Sequence, residues 1–375
     1  MTAPRLDVDL VAITHNTRTL VARLAPRGIR VTGISKAALG SPGVAAAMLR
    51  GGASGIGDAR MENVARLRAG GTDATVMLIR SPMLSQVDDV VRDTDLSLNT
   101  EASVLDALSA AAVGRRTTHD VVLMVELGDL REGVPVDEVV DLAVTAARRP
   151  GLRLVGLGTN LACRSGVVPD QTKMDELTGL VEKVEGAVGD RLTVVTGGNS
   201  ANLDWALATS DVGRIDDLRL GESILLGTEP LHRRPIDGLR TDAFTLVAEL
   251  IEVKTKPAQP WGARGQTAFG HEPERDVRPG LVRQAIAAIG RQDVDPDGLV
   301  APPGMVVLAA SSDHLVIDVG DHDVTVGDEV AFGLGYGALV RAMTSPFVTK
   351  QESVSRTTPP IPRPRSAPRR PAVGR

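Results

Sequence analysis

Between Arg30 and Gly227, short β-branched apolar runs alternate with longer amphipathic stretches. The runs are Arg30–Ser35, Ser54–Asp58, Ala74–Ile79, Asp95–Asn99, Asp120–Leu127, Leu152–Thr159, Leu192–Thr196 and Leu218–Leu226. Most are apolar nearly throughout, as strands covered on both faces must be. Between them lie Pro42–Arg50, Met61–Ala69, Leu84–Arg92, Ala102–Val113, Val136–Arg148, Gln171–Val188 and Asn202–Thr209, which place apolar residues at helical spacing. Gly51-Gly52, Gly70-Gly71 and Pro150-Gly151 supply helix stops. Eight strand–helix units in about 200 residues fit a closed (β/α)8 barrel better than an open doubly wound sheet.

Upstream, Arg5–Val11 reads as a strand and Thr14–Leu24 as a helix, both leading into the barrel. After about Arg240 the pattern changes to short alternating runs punctuated by Gly, Pro and Asp. These are Thr245–Lys254, Met305–Ala309, His314–Val319, Asp323–Val326 and Glu329–Gly333, the signature of a smaller, mainly β domain. The predicted organisation is therefore a barrel with its leading strand over 1–235, a β domain over 236–350 and a tail over 351–375.

Composition narrows the picture. The chain has 375 residues, 42% apolar and 24% charged, the balance of a globular protein with a large core. A net charge of −5 argues against a nucleic-acid surface on the body of the protein. No apolar run approaches the roughly 20 residues that span a bilayer, and the first residues lack the pattern of a signal peptide. Cys163 is the sole cysteine, so no internal disulfide forms and a cytoplasmic protein is expected. From Arg356 onward six arginines and six prolines stand without an acid. Such a segment buries too little to offset its ordering entropy, so a disordered, solvated tail is expected, with contact to an acidic partner the second reading. No aromatic residue precedes Trp205, and the first half of the chain must therefore be packed by Val, Leu, Ile and Ala.

Active sites of such barrels lie where strands end. Lys36 follows the first run, in Gly33-Ile34-Ser35-Lys36. It is either an ordinary surface charge or a sheltered amine that loses its proton readily and attacks carbonyls. After the seventh run comes Gly197-Gly198-Asn199-Ser200-Ala201-Asn202, and in the eighth Arg219-Leu220-Gly221-Glu222-Ser223. Glycines admit close backbone approach, and amides at helix starts bind anions; a phosphate site on these two final loops recurs in the architecture. The plainer alternative is a pair of helix N-caps made by Asn199, Ser200 or Asn202.

Taken together these segments resemble the alanine/ornithine racemase family of pyridoxal-phosphate enzymes, the fold-type-III group, over roughly residues 5–350, with the ornithine racemase branch most similar. Leu6-Asp7-Val8-Asp9-Leu10 with His15-Asn16 is similar to the family's opening strand and helix. The resemblance implies that Lys36 is the Schiff-base lysine and that Arg131, in Arg131-Glu132-Gly133, lies near the cofactor's phenolic oxygen. It likewise implies that Ser200, Gly221, Glu222 and Tyr336 contact the phosphate, and that Arg219 faces the pyridine nitrogen. It also implies a homodimer with shared active sites. Two departures stand out. Phe269 occupies the place of the tyrosine that serves as the opposite-face base in alanine racemases, and Asn160 the place of a histidine. Asp313 and His314 are the candidates for the second base, with His271 behind them; the alternative is that they cap a β-turn.

The implied reaction is racemisation of a free amino acid. Arginine keeps its proton, so the ring nitrogen beside Arg219 stays unprotonated, which restrains side reactions. No metal is expected. The rivals are a cofactor-binding homeostasis protein, which normally lacks the second domain, and a metal-assisted aldolase or dehydratase acting on D-amino acids. The latter needs more ligands than His314 and Asp318, and a binding module without chemistry leaves Lys36, Arg219 and Ser200 unexplained. A basic substrate, ornithine before lysine, is expected from the branch and from the small aromatic content of the barrel. Glu101, Glu126, Asp129 and Glu132 are candidate partners for a distal ammonium; the alternative is that they face solvent or pair with Arg131.

Overall fold

A computed structural model describes residues 2–270 and 280–354. The chain divides into two compact units, Leu10–Ala243 and a second unit formed by Met1–Asp9 with Phe244–Arg375. In chain order the elements are β1 (Arg5–Asp9), α1 (Leu10–Leu24), β2 (Arg30–Ile34), α2 (Pro42–Arg50), β3 (Gly55–Asp58) and α3 (Met61–Ala69). There follow β4 (Val76–Leu78), α4 (Val87–Asp93), β5 (Leu96–Asn99), α5 (Ala102–Gly114), β6 (His119–Val125) and α6 (Val139–Ala147). Then come β7 (Leu152–Thr159), α7 (Gln171–Val188), β8 (Val194–Thr196), α8 (Leu203–Ala208), β9 (Asp217–Leu220) and α9 (Glu222–Leu226).

Strands β2 to β9 close into the expected parallel barrel, sealed where β2 pairs with β9 and Thr32 stands opposite Arg219. Local chemistry sets the helix limits. Ser41 accepts from the Val44 amide at 3.1 Å ahead of α2, and Pro42 opens that helix without needing its missing N–H. Asp170 does the same for α7, which stops at Gly189 in the left-handed conformation. Inside, Met77, Leu96, Leu98, Val122, Met124 and Val155 form one buried cluster. Without aromatic rings this filling is thin, and a cavity of about 610 Å3 opens at the end where the strands begin, lined by Thr32, Ile56, Met77 and Asp217 among others.

Two expectations in this unit need correction. The eighth run, Leu218–Leu226, is not one strand: β9 ends at Leu220, and Ile224-Leu225-Leu226 lie in α9, buried on all sides. A short apolar run looks the same in a buried strand and a buried helix. The third amphipathic stretch begins as a single 3-10 turn at Leu84–Gln86 before α4.

The second unit holds β10 (Phe244–Pro257), β11 (Leu281–Ala287), β12 (Leu299–Val300), β13 (Val306–Ala310), β14 (Leu315–Asp318), β15 (Glu329–Leu334), α10 (Tyr336–Thr344) and β16 (Thr349–Ser353). The sheet runs β12-β15-β10-β11-β14-β13, and β1 joins it by pairing antiparallel with β10 and parallel with β16. The leading strand expected in the barrel domain is therefore part of the β unit. Leu6, Phe244 and Phe332 are all fully buried in its core, and Arg5 grips Glu329 through two bonds of 2.6 and 2.8 Å. The tail expected from 351 begins later, because Gln351–Ser353 pair with β1; the arginine-rich stretch 355–375 lies outside the described residues. Asp323–Val326 is a turn instead of a strand, since Asp328 accepts from the Thr325 amide at 2.7 Å and closes it.

His119 at the start of β6 is buried, its Nε2 2.9 Å from the Ser97 hydroxyl, and burial pulls its pKa down from 6.5 to about 4 against the weaker pull of Asp120 and Asp95. The unfolded chain binds this proton first, so the stability it contributes is full above pH 6.5 and lost as pH falls toward 4. The loss expected is about 3 kcal/mol at most, levelling off below the folded value. Urea midpoints measured across that range should show the slope, and His119→Gln should flatten it.

Candidate active site

The C-terminal ends of the barrel strands gather the charged residues. Strand β2 stops at Ile34, and Ser35 donates to the Asp58 carboxylate at 2.7 Å, joining the ends of β2 and β3. Asp58 also accepts from Asn63 Nδ2 at 2.9 Å and the Arg60 amide at 3.1 Å. Burial pushes this carboxyl upward, and those hydrogen bonds oppose the shift. The next residue is Lys36. Burial lowers its proton affinity below the ordinary lysine value, and Arg131 and Arg219 act the same way, while Cys163 and Asp58 pull against them. Among the described residues Lys36 forms no salt bridge. A lowered proton affinity is what the sheltered reading of this lysine requires of it.

Arg219, 4% exposed on β9, donates to Thr196 Oγ1 at 2.5 Å, to the Thr159 carbonyl at 2.6 Å and to Asn160 Oδ1 at 3.5 Å. All three acceptors are neutral. The nearest acid on its own strand, Asp217, is held by the hydroxyls of Thr32 and Thr196, each at 2.7 Å. Burial lowers the arginine's proton affinity, and Asp217 and Glu132 offset part of that. Asn199 links the next loops: its Nδ2 donates to Asn160 Oδ1 at 3.1 Å, to the Leu161 carbonyl at 2.8 Å and to Cys163 Sγ at 3.5 Å. Asn160 Nδ2 is buried without a hydrogen-bond partner, a donor waiting for an acceptor.

The two final loops meet as expected. Ser200 and Ser223 hydroxyls lie 2.9 Å apart, and the Ser223 amide donates to Ser200 at 3.2 Å. Gly221 sits against Ile34, where a Cβ would come within 3.2 Å, so the loop approaches β2 closely. Glu222 opens α9, pairs with Arg233 and feels the charge of Lys36. Asn199 does cap the turn that follows, in a reciprocal box with Asn202. Ser223 closes the segment Arg219–Ser223 quoted for the phosphate site; Asp58 is visible in the sequence only as a polar residue at a strand end, and Cys163 only as the sole cysteine.

The acids proposed for a distal ammonium are otherwise engaged. Glu132 forms a two-pronged pair with Arg131. Glu126 accepts from the amides of Gly128 and Leu130 at 2.5 and 3.0 Å. Asp129 is buried and accepts from the amides of Cys163, Arg164 and Ser165. Only Glu101, exposed ahead of α5, makes no such contact. In the β unit, Asp313 and His314 are exposed in the β13–β14 turn, where the His314 carbonyl accepts from Ser311 and Asp313 accepts from Gln292 at 3.2 Å. Tyr336 opens α10, and Phe269 lies under the Arg291 guanidinium at 5.3 Å. His271 lies outside the described residues. Among the described residues no three His, Cys, Asp or Glu side chains group as metal ligands.

A closed parallel barrel accompanied by a β unit is an architecture shared with solved structures. The chain superposes on alanine racemase from Streptomyces coelicolor with a TM-score of 0.74 and 22% identity, covering 93% of this chain and 97% of that one. The alanine racemase of Streptomyces lavendulae gives 0.72 and 23%, covering 94% and 98%. These identities speak for the fold alone. In sequence, the model of the alanine racemase N-terminal domain matches residues 8–230. A lysine racemase from Thermotoga maritima is 37% identical over 93% of this chain and 98% of its own length. An ornithine racemase from Acetoanaerobium sticklandii is 36% identical over 78% and 84%. The chain belongs to the alanine racemase family.

Asp129 fixes the loop that carries Asn160 and Cys163, where Ala162 takes φ 65° and, on the facing loop, Leu130 takes φ 55°. Both are left-handed conformations that cost an ordinary residue about 1–2 kcal/mol. Burial raises the Asp129 carboxyl, but the loop amides hold it below the usual range. Its contribution is thus present above the unfolded value of about 3.9 and lost as pH falls through the lower folded value. Asp129→Ala should cost about 2 kcal/mol in a urea titration and speed tryptic cleavage after Arg164.

Proposed function

We propose that this chain is a pyridoxal-phosphate-dependent racemase of a basic free amino acid, ornithine or lysine. The observation that carries the reading is Lys36, an amine held below its ordinary proton affinity beside Arg131 and Arg219, in a chain similar to a lysine racemase over 93% of its length. The basic substrate is supported by that relative and by the ornithine racemase, not by Glu126, Asp129 or Glu132, whose oxygens are already occupied.

The residues present fit the cofactor. Lys36 suits its aldehyde carbon, and Arg219, with only neutral acceptors, suits a ring nitrogen that takes a hydrogen bond. The unpartnered Asn160 Nδ2 supplies a further donor. Ser200 and the loop Gly221-Glu222 would hold the phosphate, and Arg131 would meet the phenolic oxygen. When bound, the cofactor withdraws electrons from the substrate Cα and makes its proton removable. Lys36 Nζ then accepts or returns that proton on one face. Arg219 retains its own proton throughout, since guanidinium gives it up only above pH 12. A cytoplasmic homodimer with shared active sites belongs to the same reading; no helix among the described residues is long and apolar enough to cross a membrane.

The test is deuterium incorporation at Cα in D2O, run on ornithine, lysine, alanine and serine at matched concentration. Ornithine and lysine should exchange fastest; alanine exchanging as fast would defeat the basic-substrate reading and leave racemisation standing. Lys36→Ala should lower exchange about 100-fold or more, and borohydride should no longer fix the cofactor to the peptide that held it.

A further inference from the structure

The guanidinium of Arg219 is set by a network that spans the neighbouring strands β8, β9 and β2. Asp217 and Arg219 stand two residues apart on β9 and so share one of its faces. On one side β8 brings Thr196 opposite Asp217, and on the other β2 brings Thr32 opposite Arg219. Both hydroxyls donate to the Asp217 carboxylate, Thr32 to Oδ1 and Thr196 to Oδ2, each at 2.7 Å. Asp217 is 3% exposed, and among the described residues no lysine or arginine bonds to it directly. The preceding acid, Asp216, lies on the other face. It accepts from the Val195 amide at 2.9 Å and pairs with Arg30 at 3.3 Å.

Thr196 is the joint of this network. Its hydroxyl accepts from Arg219 Nη1 at 2.5 Å while donating to Asp217, and Nη1 has no other side-chain acceptor among the described residues. A hydroxyl carries one proton and two lone pairs, and an ionised carboxylate only accepts. Asp217 therefore fixes the proton on its own side and turns the lone pairs toward the guanidinium. With that carboxylate gone, the proton is free to turn toward Arg219, where it would face an N–H. Thr32 holds the carboxylate from the opposite strand. Asp217 also lines the cavity at the end where the strands begin, whereas Lys36 follows the end of β2. It reaches Arg219 from the side away from the mouth.

We propose that Asp217 is a positioning residue for the cofactor ring: through the Thr196 hydroxyl it holds Arg219 in the orientation on which contact with the ring nitrogen depends. The inference rests on the cofactor placement in the racemase reading. A direct salt bridge would take up a pair of guanidinium N–H groups. One intervening hydroxyl takes up a single N–H and leaves the negative charge acting at one remove, which fits the neutral oxygens that surround Arg219.

The experiment is a double-mutant cycle read by binding instead of turnover. Pyridoxine 5′-phosphate carries the ring and the phosphate but no aldehyde, so it does not bond to Lys36. Its affinity for the cofactor-free protein is followed by its fluorescence, and inorganic phosphate as competitor probes the phosphate loops alone. Thr196→Val and Asp217→Asn should each weaken pyridoxine phosphate about tenfold, the scale of one buried hydrogen bond, and leave inorganic phosphate unchanged. The double variant should be no weaker than either single one, because the second change acts through the first. Thr196→Ser should restore wild-type affinity. Should Asp217→Asn fail to fold, Thr32→Val, which leaves the carboxylate held on one side only, takes its place in the cycle with a smaller loss and the same non-additivity. Additive losses, unchanged affinity in Thr196→Val, an equal loss of inorganic phosphate, or no rescue by serine overturns the proposal. Wild type that binds pyridoxine phosphate yet exchanges Cα of no basic amino acid fails the racemase reading alone, and the cycle still decides the role of Asp217. Wild type that does not bind pyridoxine phosphate overturns both.

Discussion

A buried guanidinium and a sheltered amine share the mouth of this barrel, and among the described residues neither is joined to a carboxylate by a salt bridge. Like charges in a medium of low dielectric repel strongly, and desolvation adds to the cost. The fold tolerates the arrangement in two ways. Lys36 gives up its proton more readily than an ordinary lysine. Arg219 is surrounded by neutral oxygens from Thr196, Thr159 and Asn160, with Asp217 near enough to stabilise it yet bound to Thr32 and Thr196. A direct carboxylate partner would neutralise Arg219 and raise the proton affinity of Lys36.

Much of the surrounding hydrogen bonding serves that constraint by occupying the available acids. Asp58 is filled by three donors, Asp129 by three loop amides, Glu126 by two, and Glu132 by Arg131. Each of these carboxylates builds the wall of the site and is thereby prevented from reaching its centre. The loop after β7 is the clearest case. Asp129 holds it in a conformation that includes a left-handed Ala162, and Asn199 reaches both Asn160 and Cys163 there. Membership in the alanine racemase family explains the frame. Phe269, at the place where the resemblance expects a tyrosine, lies under the Arg291 guanidinium.

The sequence by itself determined the barrel, the β domain after it and the lysine at the first strand end. These depend on short-range periodicity: buried parallel strands require continuous apolar runs, and Ser41, Pro42, Asp170 and Gly189 mark helix limits locally. It also brought Ser200, Arg219 and Gly221 to neighbouring strand ends, because a closed barrel converts chain order into circular order. What it did not determine were matters of pairing at a distance. Strand β1 lies more than 200 residues from β10, and no local signal says that it completes the β sheet instead of leading the barrel. Leu218–Leu226 splits into strand and helix only because Gly221 must pass close to Ile34. Whether Glu126, Asp129 and Glu132 were free or engaged depended on which amides and arginines the folded loops set beside them. Cys163 looked like an isolated thiol in the sequence; Asn199 reaches its sulfur at 3.5 Å only once the loops after β7 and β8 lie side by side.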